Sequence, residues 1–467
     1  MRSLHRLAGR LLPRQDELRA MLDLALPVVI IQVGMMSMGV VDTIMVGHIS
    51  PQALAAVALG NLYFFVPAVF GMGTLMVLDP VVAQAVGAGD APSVARGVQR
   101  GVILAGLLAV PSVILLVAAE PVLSILRQPA DVVPLAADYS ELLAPGVLPF
   151  FLFIVFRQSL QALGRLRPIV VIIVLANVTN ILLNWALVFG KWGFPALGVI
   201  GSAWATTISR WFLCLGLPAL AWKALAPHLR PVRPEIWHLA PLGRMLRLGT
   251  PIGAQFVLEF GAFALVALMM GWLGTRQMAG HQVAINLASL TFMVPLGVAD
   301  AAAVLVGRAV GRGDPAGARG SARAALVSAA AFMSCTGLMF LTLSEPLARL
   351  YTRDIDVLTV AAALIPIAGV FQVFDGLQTV AGGILRGLGH TRAPMVVNLL
   401  GYWMLGLPVS AYLGFVLRLG PAGLWWGLVL GLAVVATFLL IRVKLGLARH
   451  QTRVLIDLPL ALHPGAE

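Results

Sequence analysis

Ala85-Val86-Gly87-Ala88-Gly89-Asp90 and Ala309-Val310-Gly311-Arg312-Gly313-Asp314 are nearly one hexapeptide written twice, 224 residues apart in a chain of 467. The correspondence extends outward from them. Pro27 answers Pro251 at the same offset of 224, and Glu120-Pro121 answers Glu345-Pro346 at 225. Leu160-Gln161-Ala162-Leu163-Gly164 answers Leu385-Arg386-Gly387-Leu388-Gly389, also at 225. A long internal repeat of this kind fixes the architecture before any single element is read. The hexapeptides are not phosphate loops, because they lack the preceding strand and the following Lys-Ser/Thr. Their glycines suit a tight turn joining two helices.

The solvent of this repeat is lipid. The chain is 60% hydrophobic and 11% charged, against about 25% charged residues in a soluble domain. A span across about 30 Å of hydrocarbon takes roughly 20 apolar residues. Twelve such runs are present, near 21–46, 53–78, 94–119, 132–156, 168–190, 198–222, 247–272, 280–306, 319–344, 357–383, 393–416 and 421–447. The expected fold is an all-α polytopic membrane protein with twelve transmembrane helices in two pseudo-symmetric six-helix bundles. Six spans per half bring both halves into the membrane in the same direction, so the pseudo-axis runs along the membrane normal. The predicted organisation is a cytoplasmic tail over 1–20, a bundle over 21–222, a basic connector over 223–246, a bundle over 247–447 and a cytoplasmic tail over 448–467.

Charge sets the orientation. Of 32 Lys and Arg, 25 fall in the termini and even-numbered connections, six in the odd-numbered ones (Arg127, Lys191, Arg276, Arg349, Arg353, Arg418), and one, Arg210, within a span. Positive charge gathers on the cytoplasmic side, so both termini are expected there, in a plasma membrane of bacterial inner-membrane type. The net charge of +12 is spread over short loops rather than one face, which excludes a nucleic-acid partner. The N-terminal basic segment lacks the short apolar stretch and small-residue cleavage site of a signal peptide. Cys214 and Cys335 both fall in apolar runs, which excludes a disulfide framework and predicts buried, inert thiols.

Three acids lie deep in predicted spans: Asp42 in span 1, Glu259 in span 7 and Asp375 in span 10. Each costs roughly 2.5–3.5 kcal/mol at mid-bilayer depth on insertion scales. Three such residues with no lysine beside them predict an acidic cavity and cationic ligands. Asp79 and Asp300 sit nearer the cytoplasmic ends, where pairing with loop arginines explains them. In span 5, Asn180 and Asn184 are one helical turn apart. They can join Asp42 in an oxygen-rich pocket suited to a hard cation or a proton relay. Asn177 either joins them or bonds across helices. Met35, Met36, Met38 and Met45 surround Asp42 in sequence; flexible methionines suit a surface that accepts many shapes, or ordinary packing. Arg210 reads as a counter-ion, a snorkelling residue or a contact to Glu259.

At these residues the chain resembles the multidrug and toxic compound extrusion (MATE) transporters, in particular their NorM-like branch, over essentially its whole length. The resemblance rests on Val41-Asp42-Thr43-Ile44-Met45-Val46-Gly47, Leu78-Asp79-Pro80, His281-Gln282 and Leu385-Arg386-Gly387. It implies two six-helix bundles forming a V around a central cleft, and export of organic cations in exchange for sodium or protons. It implies coupling-ion roles for Glu259 and Asp375, where Na⁺ could bind, and for Asp42 with Asn180 and Asn184. Gln282, Met35 and Met38 are placed with the residues lining the substrate cavity. Some relatives proposed to be proton-coupled carry Asp at the position of Asn184, so this pocket has one titratable group fewer. No cofactor beyond the coupling ion is expected, and the expected partners are small organic cations and membrane lipid, with the chain working as a monomer. Two other readings are weaker. A lipid-linked oligosaccharide flippase would need a cavity rich in Arg and Lys. An enzyme would need a nucleophile, metal cluster or acid/base pair, and the eight histidines include no ligand-spaced pair.

Overall fold

The computed structural model describes residues 13–126, 128, 131–449 and 451–457. Most of the predicted N-terminal tail, Arg127 and the last ten residues of the predicted C-terminal tail lie outside them. The described residues form helices and turns, without strands. The helices are α1 (Gln15–Gly47), α2 (Pro51–Leu75), α3 (Leu78–Gly87), α4 (Ala91–Val117), α5 (Ala119–Ile125), α6 (Val133–Leu143), α7 (Val147–Ala162), α8 (Arg167–Phe189), α9 (Val199–Leu220) and α10 (Trp222–Leu229). They continue as α11 (Leu239–Leu273), α12 (Thr275–Gly311), α13 (Pro315–Thr342), α14 (Ser344–Arg349), α15 (Ile355–Gly387), α16 (Arg392–Asn398), α17 (Leu407–Ala411) and α18 (Gly420–Ala448).

Eleven of these helices or continuous pairs are long and apolar enough to cross a membrane. They become twelve when α9 and α10, bent by 90° at Ala221, are taken as one broken span. Large apolar side chains face outward along them, such as Leu107, Val110 and Ile114 on α4 and Leu338 and Leu341 on α13. A bilayer accommodates such a surface where water would not. Cys214 is buried, but Cys335 is exposed on α13, which corrects the expectation of two buried thiols. Its helix turns that position away from the neighbours that cover Ala329 and Met333.

The repeat is visible in backbone geometry. Each hexapeptide closes one helix and opens the next. Gly89 and Gly313 adopt left-handed φ values of 68° and 67°, a region glycine enters without steric penalty. Asp90 N–H then donates to Ala85 O at 3.0 Å and Asp314 N–H to Ala309 O at 2.9 Å, the six-residue closure of a Schellman turn. The same two aspartates cap α4 and α13, accepting from Ser93 N at 3.0 Å and Gly317 N at 2.8 Å. The two Glu-Pro pairs likewise open the matching short helices α5 and α14.

The chain divides into two compact units, Ile30–Gly253 and Ala254–Glu467 with the N-terminal stretch through Val29. The sequence boundaries at 222 and 247 fall elsewhere, for a specific reason. The start of α1 packs with the C-terminal unit: Glu17 pairs with Arg323 at 2.7 Å, and Val29 lies against Gly297 so closely that a Cβ there would meet its backbone nitrogen at 2.9 Å. The start of α11 packs with the N-terminal unit, where Gly249 lies against Thr74. The connector is tied to α4. Gln99 Nε2 donates to His228 O and Pro231 O, both at 3.0 Å, Arg233 N donates to Gln99 Oε1 at 3.1 Å, and Arg100 donates to Glu235 O at 3.0 Å.

Candidate functional site

Within the N-terminal unit, α1, α8 and α9 converge on one carboxylate. Asp42 is 2% exposed, and Asn180 and Asn184 are completely buried. Asn184 Nδ2 donates to Asp42 Oδ1 at 2.7 Å and Asn180 Nδ2 to the same oxygen at 3.2 Å. Thr206 donates its hydroxyl to the other oxygen, Oδ2. Hydrogen bonds to a charged acceptor are stronger than neutral ones, which is how a carboxylate is tolerated at this depth. Asn180 Oδ1 and Asn184 Oδ1 are buried with no hydrogen-bond partner. Asn177 is separate: its amide donates to Gly34 O at 2.9 Å, tying α8 to α1.

The C-terminal unit builds a different site from α11, α15 and α16 with its continuation. Gln378 Nε2 donates to Glu259 Oε1 at 2.9 Å and to Asp375 Oδ1 at 3.3 Å, so one amide bridges both carboxylates. Asn398 Nδ2 approaches Glu259 Oε2 at 3.5 Å. Gln378 Oε1, Asn398 Oδ1 and the Tyr402 hydroxyl are buried without partners, and Tyr402 feels the charge of both acids. Tyr402 lies in a π-helical stretch, Leu399–Gly406, that continues α16. Such wider turns often occur at functional sites. Phe263 packs on Phe371 and Tyr402 at ring distances of 5.8 and 6.1 Å, walling the site with aromatic surface.

The three acids thus divide between two sites. Met35 lies elsewhere than the Asp42 oxygens: its sulfur accepts from Arg157 at 3.2 Å. Met38 is half-buried. Gln282 is exposed and joins neither cluster by a hydrogen bond, whereas its neighbour His281 is buried and accepts from Trp425 at 3.2 Å. Asp300 pairs with Arg386 at 2.9 Å, both buried. Arg210 lies with its guanidinium 3.9 Å from the centre of the Phe64 ring. Thr206, Gln378, Asn398 and Tyr402 were not expected from sequence. Gln378, three residues from Asp375 and so on the same helical face, carried a legible signal.

The all-helical, duplicated architecture is matched by known proteins. The MatE family model matches residues 27–186 and 251–412. The chain belongs to the MatE family. It is 36% identical over 440 residues to the multidrug resistance protein MdtK of Edwardsiella ictaluri (strain 93-146), covering 92% of this chain and 95% of that one. It is 37% identical over 427 residues to the multidrug resistance protein NorM of Burkholderia vietnamiensis, covering 89% and 91%. In fold it is similar to the eukaryotic MATE transporter AtDTX14, with a TM-score of 0.85 at 23% identity over 92% of this chain and 96% of that one. A MOP superfamily transporter from Pyrococcus furiosus has the same fold at a TM-score of 0.84, 19% identity and coverage of 92% and 96%. That protein's binding pocket is described as having reverse polarity, suggesting a different function.

Proposed function

We propose that this chain is a multidrug efflux antiporter, exporting cationic organic compounds in exchange for Na⁺ or H⁺ by alternating access of its two bundles. One observation carries the reading. Each unit holds carboxylate together with buried amide or hydroxyl oxygens that no donor fills. Carboxylate with spare oxygen suits a small hard cation or a proton and opposes an anion. The names of the relatives, multidrug resistance proteins, support the cargo. A lipid-linked diphosphate would meet acids at both sites.

Coupling requires that the ion and the drug prefer different states. An ion taken up at Glu259 with Asp375, or at Asp42 with Asn180 and Asn184, neutralises the carboxylates when the protein faces outward. The hold on a cationic drug weakens and the drug leaves; the ion leaves when the protein faces inward. Gln378 donates to both acids through one amide nitrogen, which supports reading them as a single site. The distribution of Lys and Arg supports both termini on the cytoplasmic side of a bacterial inner membrane, and each unit holds its own site, as a functional monomer would.

The test is efflux of a fluorescent cationic drug from proteoliposomes, under a sodium gradient alone and a pH gradient alone. One gradient should drive efflux and the other should not. Efflux that ignores both gradients would sink the antiport reading.

A further inference from the structure

Arg210 is charged, sits within a membrane span, and has no part in the exchange as described. It forms no ion pair among the described residues, and its Nη1 is buried without a hydrogen-bond partner. Its seat is aromatic. The guanidinium stacks on Phe64 at 3.9 Å and approaches Phe150 at 5.7 Å. Gly146 leaves room for the stem: a Cβ there would meet Arg210 Cδ at 3.1 Å. A desolvated guanidinium over an aromatic face is held by cation–π attraction without a carboxylate.

The position of this seat matters more than its strength. Arg210 is four residues after Thr206 on α9, one helical turn along the same face. Thr206 donates to Asp42 Oδ2. The Arg210 charge acts on Asp42, and the buried Tyr139, the other titratable neighbour, feels both. Asp42 already has Asn180, Asn184 and Thr206 as donors. The guanidinium is therefore held near the pocket without filling it. At offsets of 224 and 225 the other half has Val434 and Val435, so the device belongs to one unit only.

We propose that Arg210 is a specificity-determining residue of the Asp42 pocket: a fixed internal cation, parked on the Phe64 ring, that weakens the pocket's hold on an incoming cation. The inference rests on the reading that this pocket takes the coupling ion. A ligand cation entering beside Asp42 meets the guanidinium's repulsion in a medium of low dielectric. At separations of roughly 6–10 Å and an effective dielectric near 20, that repulsion is on the order of a ten- to hundredfold change in affinity. The pocket can then release its ion in each cycle instead of trapping it. Phe64 sets the distance, since without its ring the guanidinium is free to swing onto Asp42 and occupy the site.

The experiment reads cation binding by intrinsic tryptophan fluorescence of the purified full chain, with Trp204 and Trp211 on the same helix as reporters. Sodium chloride is titrated against choline chloride at fixed ionic strength, and protons are titrated separately without sodium. All variants carry Glu259→Gln and Asp375→Asn, so that only the Asp42 pocket responds. Arg210→Gln should bring the half-response to at least about tenfold lower cation concentration. Phe64→Leu should move it the opposite way. A packing role would weaken binding in both variants. Weakened or unchanged binding in Arg210→Gln overturns the inference, as does tighter or unchanged binding in Phe64→Leu, which carries the test by itself if Arg210→Gln does not fold. Asp42→Asn separates the two levels: a cation response that survives it overturns the pocket reading rather than the role of Arg210.

Discussion

The two units solve one problem in opposite ways. The site in the N-terminal unit has one carboxylate, Asp42, and surrounds it with three donors, Asn180, Asn184 and Thr206. The C-terminal unit sets two carboxylates on one bridging amide, Gln378. A lone buried acid with three donors is locally satisfied. Two acids sharing one amide repel each other, and a cation or proton between them relieves the repulsion. The first arrangement suits a site that stays ordered when empty, and the second a site whose emptiness is costly. The duplicated scaffold does not duplicate the acids of its sites: at an offset of 224 Glu259 answers Met35 and Asp42 answers Val266, and at 225 Asp375 answers Phe150.

The largest expected effect lies on the helix that carries Asp375. Arg386→Gln removes the guanidinium that pairs with Asp300 at 2.9 Å, where both side chains are buried. Breaking a buried pair costs about 3–5 kcal/mol, read as a marked fall in the thermal midpoint of the purified chain. The matching position in the other half is Gln161, so Gln161→Leu should fall short of that loss; an equal loss would erase the difference between the units. Next comes Asp375→Asn. It removes the repulsion that a coupling ion relieves and should lower ion-driven efflux about a hundredfold in proteoliposomes. Asp42→Asn leaves the paired site intact and should cost about tenfold in the same assay. Equal losses would mean that both sites act in one obligatory step. Thr206→Val removes one hydrogen bond to a carboxylate, worth about 1.5–3 kcal/mol. With one donor fewer to satisfy its charge, Asp42 should hold an incoming cation roughly tenfold more tightly in the fluorescence titration. The smallest effect is expected at Asn177→Leu, which loses a contact between α8 and α1 and should change efflux less than about threefold.

The fold was legible because lipid leaves few choices. Membrane-length apolar runs become helices, and the two hexapeptides form the same turn because Gly89 and Gly313 meet the same left-handed requirement. The acids were legible for the same reason: charge at that depth is rare enough to stand out. Their uncharged neighbours were not. Thr206 is one of four hydroxyls in α9, and nothing in the sequence separates it from Ser209, which bonds back to Ala205 of its own helix. Tyr402 lies in a π-helical stretch, whose wider turn a spacing of 3.6 residues does not anticipate. Within the dipeptide His281-Gln282 the two side chains part, His281 buried and Gln282 exposed, a division the sequence does not show.

The exchange of helix starts has a consequence for what counts as a half of this protein. Residues through Val29 cluster with the C-terminal unit, and residues up to Gly253 with the N-terminal one. Two identical ancestral halves making the same exchange would have formed a domain-swapped dimer, each copy lending its first turns to the other. Fused into one chain, the swap becomes a covalent interlock. A cut in the connector would leave two fragments, each short of a piece of its own bundle and carrying a piece of the other's, so that neither fragment is complete until both are present.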